Sequence, residues 1–273
     1  MDLMQCLSVS AAISLVLGTG TVSAHAADVE VDIKLVLAGD VSSSMDDDER
    51  RMQRDGFAAA FRHPDLMLAI GSGATGRVAV TYVEWAGPAE RWIIAPWTII
   101  ADRHGAEAFA DLLATTPIVK GSLTSMSHGL LFAAEQFRTS GAQAYRETID
   151  ISGDGPNNVG PQIDAVRDWI LSQGITINGL ALATSSLNGE YGPFSYLFYR
   201  DEFRLDLYYE DCVIGGAGAF VMSVSDPSRF MAAIRRKLML EIASVPARFV
   251  PIAYVERAAP ASECLIDDLA EPH

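Results

Sequence analysis

The sequence predicts an α/β protein: a doubly wound, mainly parallel central sheet with one antiparallel edge strand and helices on both faces. Three observations predict it. Strand-like apolar runs alternate with helical patterns along most of the 273 residues, the order that joins parallel strands by helical crossovers. The first run, VDIKLVLA at 31–38, reads as a buried strand. Two β-rich runs, RVAVTYVEW at 77–85 and ERWIIAPW at 90–97, are separated by a short connection through Gly87-Pro88. That makes them antiparallel neighbours at an edge of the sheet.

The remaining elements follow in order. A helix is expected over 46–62, because acidic residues crowd its first turn and Met52, Gly56, Phe57, Ala60 and Phe61 form one apolar stripe. Amphipathic helices at 103–115 and 125–138 flank the loop 116–124. The strand ETIDIS at 147–152 is ended by Gly153-Asp154-Gly155-Pro156. Pro161 is placed to open a helix that runs to Gln173, and Gly174 to end it. ITINGLALA at 175–183 and AGAFVMSV at 217–224 supply the last strands. Asp226-Pro227 caps a long helix that runs to about Ala243. The chain contains no internal repeat.

Residues 7–22 are apolar and small, and Ala24-His25-Ala26 offers an A-x-A cleavage site before Ala27, so 1–26 reads as a secretory signal peptide. Its n-region carries Asp2 and no Lys or Arg, a departure from the usual pattern. Its Gly, Ser and Thr argue against a spanning helix. The expected location is exported, periplasmic or extracellular, with no stable membrane span after cleavage. Of three cysteines, Cys6 leaves with the signal, and Cys212 and Cys264 are candidates for one disulfide. Such a bridge stabilises a fold by roughly 4 kcal/mol in the chain-entropy model. A formal net charge of −15 argues against nucleic-acid and anionic-membrane partners, which need Lys/Arg stripes.

These readings give three parts: the signal at 1–26, a domain at 27–244, and a tail at 245–273 that is rich in Ala and Pro and expected to lie extended, with Cys264 pinning it to the strand-entry loop at Cys212. Within the domain, 185–211 is an aromatic-rich insertion holding Tyr191, Phe194, Tyr196, Phe198, Tyr199, Phe203, Tyr208 and Tyr209. It serves either as a partner surface or as an excursion packed on its own domain.

The chemistry lies in three oxygen-rich loops. Ligands of open α/β sheets bind at the carboxyl ends of strands, and there Asp40-Val41-Ser42-Ser43-Ser44 delivers a carboxylate and two hydroxyls at alternate positions. These are hard donors of the kind Mg²⁺ prefers. Thr124, in Gly121-Ser122-Leu123-Thr124, is on its own an N-cap for the following helix. Asp154, flanked by glycines, is on its own a turn residue. The run Asp46, Asp47, Asp48, Glu49 either satisfies the first turn of its helix or supplies a second cation site.

Taken together, Asp-x-Ser-x-Ser after the first strand, a Thr opening a central helix and an Asp-Gly after the next core strand resemble the von Willebrand factor A (VWA) domain. GDVSSSM at 39–45, EWAG at 84–87, SGDGPNN at 152–158, ITINGLA at 175–181 and VIGG at 213–216 resemble a bacterial family of secreted VWA-like proteins with no assigned function. The resemblance runs from about residue 30 to 243 and implies a Rossmann-like fold with a metal-ion-dependent adhesion site (MIDAS). It implies Ser42, Ser44 and Thr124 as hydroxyl ligands, with Asp40 and Asp154 binding directly or through water. The cation would be Mg²⁺, with Mn²⁺ or Ca²⁺ as alternatives. Neutral hydroxyl ligands leave much of its charge uncompensated, so an open position attracts a carboxylate from a protein partner.

The expected function is therefore an exported, metal-dependent protein-binding module and not an enzyme. The alternative is a hydrolase that uses the same cluster to activate water, for which Asp154, Asp46 and His128 are the candidate bases. A third reading is a scaffold that holds no metal. The chain has neither a G-x-S-x-G elbow nor a G-x-x-x-x-G-K phosphate loop. Asn157 and Asn158 are expected to shape the loop after Asp154.

Overall fold

A computed structural model describes residues 29–182, 204–243 and Cys264. Strand β1 (Val29–Glu30) pairs in parallel with the equally short β5 (Ala142–Gln143) in a small separate sheet. Strand β2 (Ile33–Asp40) is the centre of the main sheet, and all eight of its residues are buried. It lies between β3 (Val78–Trp85) and β6 (Glu147–Gly153), parallel to both. Beyond β3 the sheet ends in β4 (Arg91–Ile100), its antiparallel edge strand; beyond β6 come β7 (Thr176–Leu182) and β8 (Val221–Val224), both parallel. The strand order is β4-β3-β2-β6-β7-β8.

Successive side chains of β2 point to opposite faces, and each face has its own core. Leu35 and Leu37 join Phe57, Phe61, Tyr82, Phe109 and Ile234. This layer is built by α1 (Asp47–Arg62), α2 (Pro64–Gly71), α3 (Arg103–Thr115) and α7 (Phe230–Ile242). Val36 and Ala38 join Trp85, Leu130, Ile151 and Ile177 on the other face. There α4 (Met126–Gln136), α5 (Ile163–Ser172) and the short α6 (Leu205–Tyr208), which runs on into a π-helical turn at Tyr209–Val213, make the second layer. The doubly wound α/β architecture with an antiparallel edge is the one expected.

Several local expectations need correction. The first strand begins and ends two residues later than 31–38, which makes Asp40 its last residue and not part of the loop. Helix α2 was not foreseen: His63 ends α1 and its ring accepts from Asp65 N, so Pro64 starts a new helix where its missing N–H is harmless. Pro161 does not open α5, which starts at Ile163 behind Gln162. The 217–224 strand shrinks to Val221–Val224, because Gly216 and Gly218 take φ of +97° and +73° in the preceding turn. Asp226 caps a 3₁₀ turn at Pro227–Arg229, accepting from Ser228 N at 2.9 Å, and α7 follows that turn.

Of the aromatic segment, Tyr208 and Tyr209 are fully buried against their own domain. Tyr191, Phe194, Tyr196, Phe198, Tyr199 and Phe203 lie outside the described residues, as do the signal at 1–26 and the tail from 245 apart from Cys264. Cys212 and Cys264 form the expected disulfide, with Cα atoms 5.6 Å apart. Cys212 sits in the buried π-helical turn and not in a strand-entry loop.

One group of charges is buried under α7. Lys237 pairs with Asp150 of β6 at 2.8 Å and with Glu241 one turn on, and Asn178 of β7 donates to Glu241 at 3.0 Å. Arg146 donates to the Glu241 carbonyl at 2.6 Å. A single ammonium serves two carboxylates. Burial, then the Asp150 charge, push Glu241 up to about 7 against the opposing pull of Lys237 and Asn178.

Two outcomes are expected. An unfolded chain ionises Glu241 near 4.5 whereas the fold keeps it protonated to about 7, so between these pH values the folded state holds more protons. Stability from this group is greatest below pH 4.5 and falls as pH rises to 7, by up to about 1.4 kcal/mol per pH unit. Urea unfolding of Glu241→Gln should remove that slope; a variant whose profile stays parallel to wild type would contradict it. For the disulfide, Cys212 and Cys264 should be unreactive to thiol reagents in denatured, unreduced protein, and Cys264→Ser should cost roughly 2–4 kcal/mol of stability.

Candidate functional site

The chain leaves β2 toward β3 on one side and, after β4, returns to β6 on the other. The crevice between the carboxyl ends of β2 and β6 is therefore the topological switch point of the sheet, where open α/β folds bind ligands. The last paired residues of these strands are Gly39 and Ser152. Asp40 and Asp154 stand just past that rung, one on each lip.

Asp40 is completely buried. Its Oδ1 accepts from Ser42 N at 2.7 Å, whereas its Oδ2, equally buried, has no hydrogen-bond partner. Burial and then the neighbouring Asp154 hold its carboxyl well above the ordinary range. Ser44 donates to Asp154 Oδ1 at 2.7 Å, so the proton in the 3.0 Å contact between Ser42 and Ser44 comes from Ser42. Burial raises Asp154 to about 6, opposed first by the Ser44 hydrogen bond. Four of the five expected residues, Asp40, Ser42, Ser44 and Asp154, thus form one continuous polar chain.

Thr124 arrives on the neighbouring loop. Gly121 N donates to Val41 O at 2.8 Å and Ser43 Oγ to Ser122 O at 2.6 Å, which ties that loop to the first. Thr124 N donates to Asn158 Oδ1 at 3.1 Å and receives Asn158 N on its carbonyl at 2.9 Å. Asn157 Oδ1 accepts from Ser127 N at 3.0 Å. Both asparagines shape the loop, as expected. Thr124 is not the N-cap: α4 begins at Met126 behind Ser125, so the Thr124 side chain is released from that duty. Among the described residues no hydrogen bond joins Thr124 to the other four.

Neighbouring candidates resolve into supporting roles. Asp46 is the N-cap of α1, accepting from Asp48 N and Glu49 N at 2.8 Å, and Glu49 Oε2 accepts in turn from Asp46 N at 2.9 Å. Asp47 pairs with Arg50, and Asp48 with Arg51 at 3.3 Å. The acidic run therefore serves the first helical turn. His128 Nδ1 lies 2.7 Å from Ser125 Oγ, which donates to Val159 O at 2.8 Å, so the ring steadies the third loop.

Sequence periodicity missed the residues that hold the loops from behind. Arg50, Gln53 and Arg54 of α1 are all buried. Arg50 donates to Ser42 O at 3.0 Å and to Met45 O. Gln53 donates to Asp40 O at 3.0 Å and accepts from Ser152 Oγ at 2.7 Å. Arg54 donates to Glu84 at 2.9 Å and reaches Thr116 O in the loop that leads to Thr124. Their i, i+3, i+4 spacing, which puts three polar groups on one helical face, was the available signal. Tyr208 and Tyr209 were also missed in this role: Tyr208 OH accepts from Asn157 N at 3.1 Å, and Tyr209 OH donates to Gly153 O at 3.3 Å.

A family described as "Protein of unknown function (DUF1194)" matches residues 30–246. The chain belongs to this family. No curated protein matches this chain in sequence. Among solved structures, proximal thread matrix protein 1 (PTMP1) from the mussel byssus matches at a TM-score of 0.54 and 16% identity, over 80% of this chain and 49% of that one. The pilus adhesin SpaC from Lactobacillus rhamnosus GG matches at 0.54 and 10% identity, over 78% of this chain and 31% of that one. A von Willebrand factor type A structure from Catenulispora acidiphila matches at 0.47 and 16% identity, over 77% and 42%. The DUF1194 chain shares its fold with PTMP1 and SpaC. It spans about half the length of PTMP1 and about a third of SpaC.

Gly153 gives the geometry a direct test. A Cβ there would lie 2.8 Å from Asp40 Oδ2 and 3.2 Å from Tyr209 OH. Gly153→Ala should lower stability by roughly 1–3 kcal/mol through overpacking, read by urea unfolding. An unchanged midpoint would show that the lips of the crevice are not closely packed.

Proposed function

We propose that this chain is an exported binding module in which Asp40, Ser42, Ser44, Thr124 and Asp154 hold a divalent cation that engages a carboxylate of a protein partner. The observation that carries the reading is the buried, unpartnered Oδ2 of Asp40 beside a chain of hydroxyls at the switch point. A buried carboxylate oxygen without a partner is costly, and a cation bound directly or through water supplies one. The donors fit a hard ion. Among the described residues no group of three His, Cys, Asp or Glu offers a competing site of the kind zinc prefers. Mg²⁺ suits the set best, with Mn²⁺ and Ca²⁺ as alternatives.

The setting supports the reading as well. The Cys212–Cys264 bridge suits an oxidising compartment and fits cleavage of a signal at 1–26 ahead of a domain at 27–244 with a tail at 245–273. No helix among the described residues is long and apolar enough to cross a membrane. One protein that shares the fold, SpaC, is a pilus adhesin. Binding is preferred to hydrolysis because Asp46 is engaged in helix capping and His128 in the Ser125 contact, leaving Asp154, itself a proposed ligand, as the remaining candidate base.

Isothermal titration with Mg²⁺ and Mn²⁺ is expected to show binding at millimolar dissociation constants or better, weakened at least ~10-fold in Asp40→Ala. Absence of binding, or binding indifferent to Asp40→Ala, would overturn the metal reading. Metal-dependent turnover of phosphoesters or peptides, lost in Asp154→Ala, would replace binding with hydrolysis.

A further inference from the structure

The β2–β6 ladder stops at Gly39 and Ser152, one residue before Asp40. Past that pair the β2–β6 register ends, two residues short of Asp154. A side chain bridges the two strands at that level. Gln53, fully buried on α1, donates from Nε2 to Asp40 O at 3.0 Å and accepts on Oε1 from Ser152 Oγ at 2.7 Å. The same amide therefore grips both strands at the level where their register ends. The strand makes room for it and for Tyr82: a Cβ on Gly39 would lie 2.5 Å from the Tyr82 hydroxyl and 2.8 Å from Gln53 Nε2, so the glycine marks a close approach of both side chains.

We propose that Gln53 is a positioning residue of the cation site, an amide rung that fixes the separation of the Asp40 and Asp154 lips and thereby the size of ion the site takes. The proposal rests on the cation reading above. Gln53 is itself held in register by its helical neighbours, Arg50 on the Ser42 carbonyl and Arg54 on Glu84, whose backbone pairs with Gly39. A rigid crevice matters more to Mg²⁺, which demands near-ideal octahedral geometry at about 2.0–2.1 Å, than to Ca²⁺, which accepts about 2.3–2.6 Å and irregular shells.

The test compares Mg²⁺ and Ca²⁺ affinities by isothermal titration in wild type, Gln53→Met and Ser152→Ala, with far-UV circular dichroism confirming the fold. Gln53→Met keeps the length of the side chain and removes both hydrogen bonds. It should weaken Mg²⁺ by ~10- to 100-fold while weakening Ca²⁺ markedly less. Ser152→Ala removes one end of the rung and should shift selectivity the same way by a smaller factor; it decides the matter alone if Gln53→Met does not fold. Equal losses for both ions, or no loss for either, overturn the positioning role. Wild-type protein that binds neither ion overturns the cation reading itself, a result separable from the first.

Discussion

Strand β2 is covered on both faces and paired along both edges, yet it ends in an ionisable side chain with no exposure at all. Hydrophobic burial drives such a strand into the centre of the sheet, and the topology then delivers its last residue to the one place where neighbouring strands separate. Asp40 is therefore placed by the core and not by its own chemistry. Everything around the crevice answers that placement: the Ser42 amide on Oδ1, the Ser42–Ser44–Asp154 hydroxyl chain, and the loop that brings Thr124 alongside.

Helix α1 mediates between core and site because two of its faces do different work. Phe57, Ala60 and Phe61 pack into the apolar layer against the sheet. Arg50 and Arg54 reach backbone groups of loops that have no ladder of their own, and Gln53 reaches the Asp40 carbonyl at the end of β2. Buried arginines are tolerable only where their donors are taken up. Here the acceptors are loop carbonyls, Asp47 and Glu84, with only Arg50 Nε left unpartnered, so pairing the guanidinium groups and fixing the loops are largely one event. The capping box at Asp46 and Glu49 sets where this helix begins, and hence which side chains face the crevice.

Elements decided by periodicity were legible in the sequence: the buried first strand, the edge hairpin, the amphipathic helices and the Gly174 stop all follow from spacing and turn chemistry. So did the order of the three oxygen-bearing loops. Boundaries were less legible, because Asp40, Gly153 and Val221 are strand residues by virtue of tertiary pairing and not of propensity. Helix α2 was hidden by a proline that marks a helix start as readily as a break. Arg50, Gln53 and Arg54 were hidden because polar residues on a helix ordinarily face water, and only the geometry of the switch point turns that face inward. The cysteine pair was legible from count and the expected compartment, but its attachment to a buried π-helical turn was not.

That turn, packed against α5 and β7, also reaches the crevice. Tyr208, the last residue of α6, and Tyr209, the first of the turn, reach beneath the third loop, one receiving the Asn157 amide and the other donating to the Gly153 carbonyl. Asn157 in turn holds Ser127 at the start of α4. Cys212, one turn along, carries the disulfide to Cys264. A crosslink restricts chiefly the unfolded chain, but its folded-state consequence is local: the turn that it anchors is the one whose hydroxyls prop Asp154's loop. Two unlike devices therefore hold the opposite lips of the crevice from below, a polar helical face under Asp40 and a crosslinked aromatic turn under Asp154. The aromatic turn is also part of the second apolar layer, and both devices place polar groups on the backbone of the lips. A crevice braced this way keeps its oxygens in place before any ligand arrives, which is the condition for a site that selects by geometry and not by net charge alone.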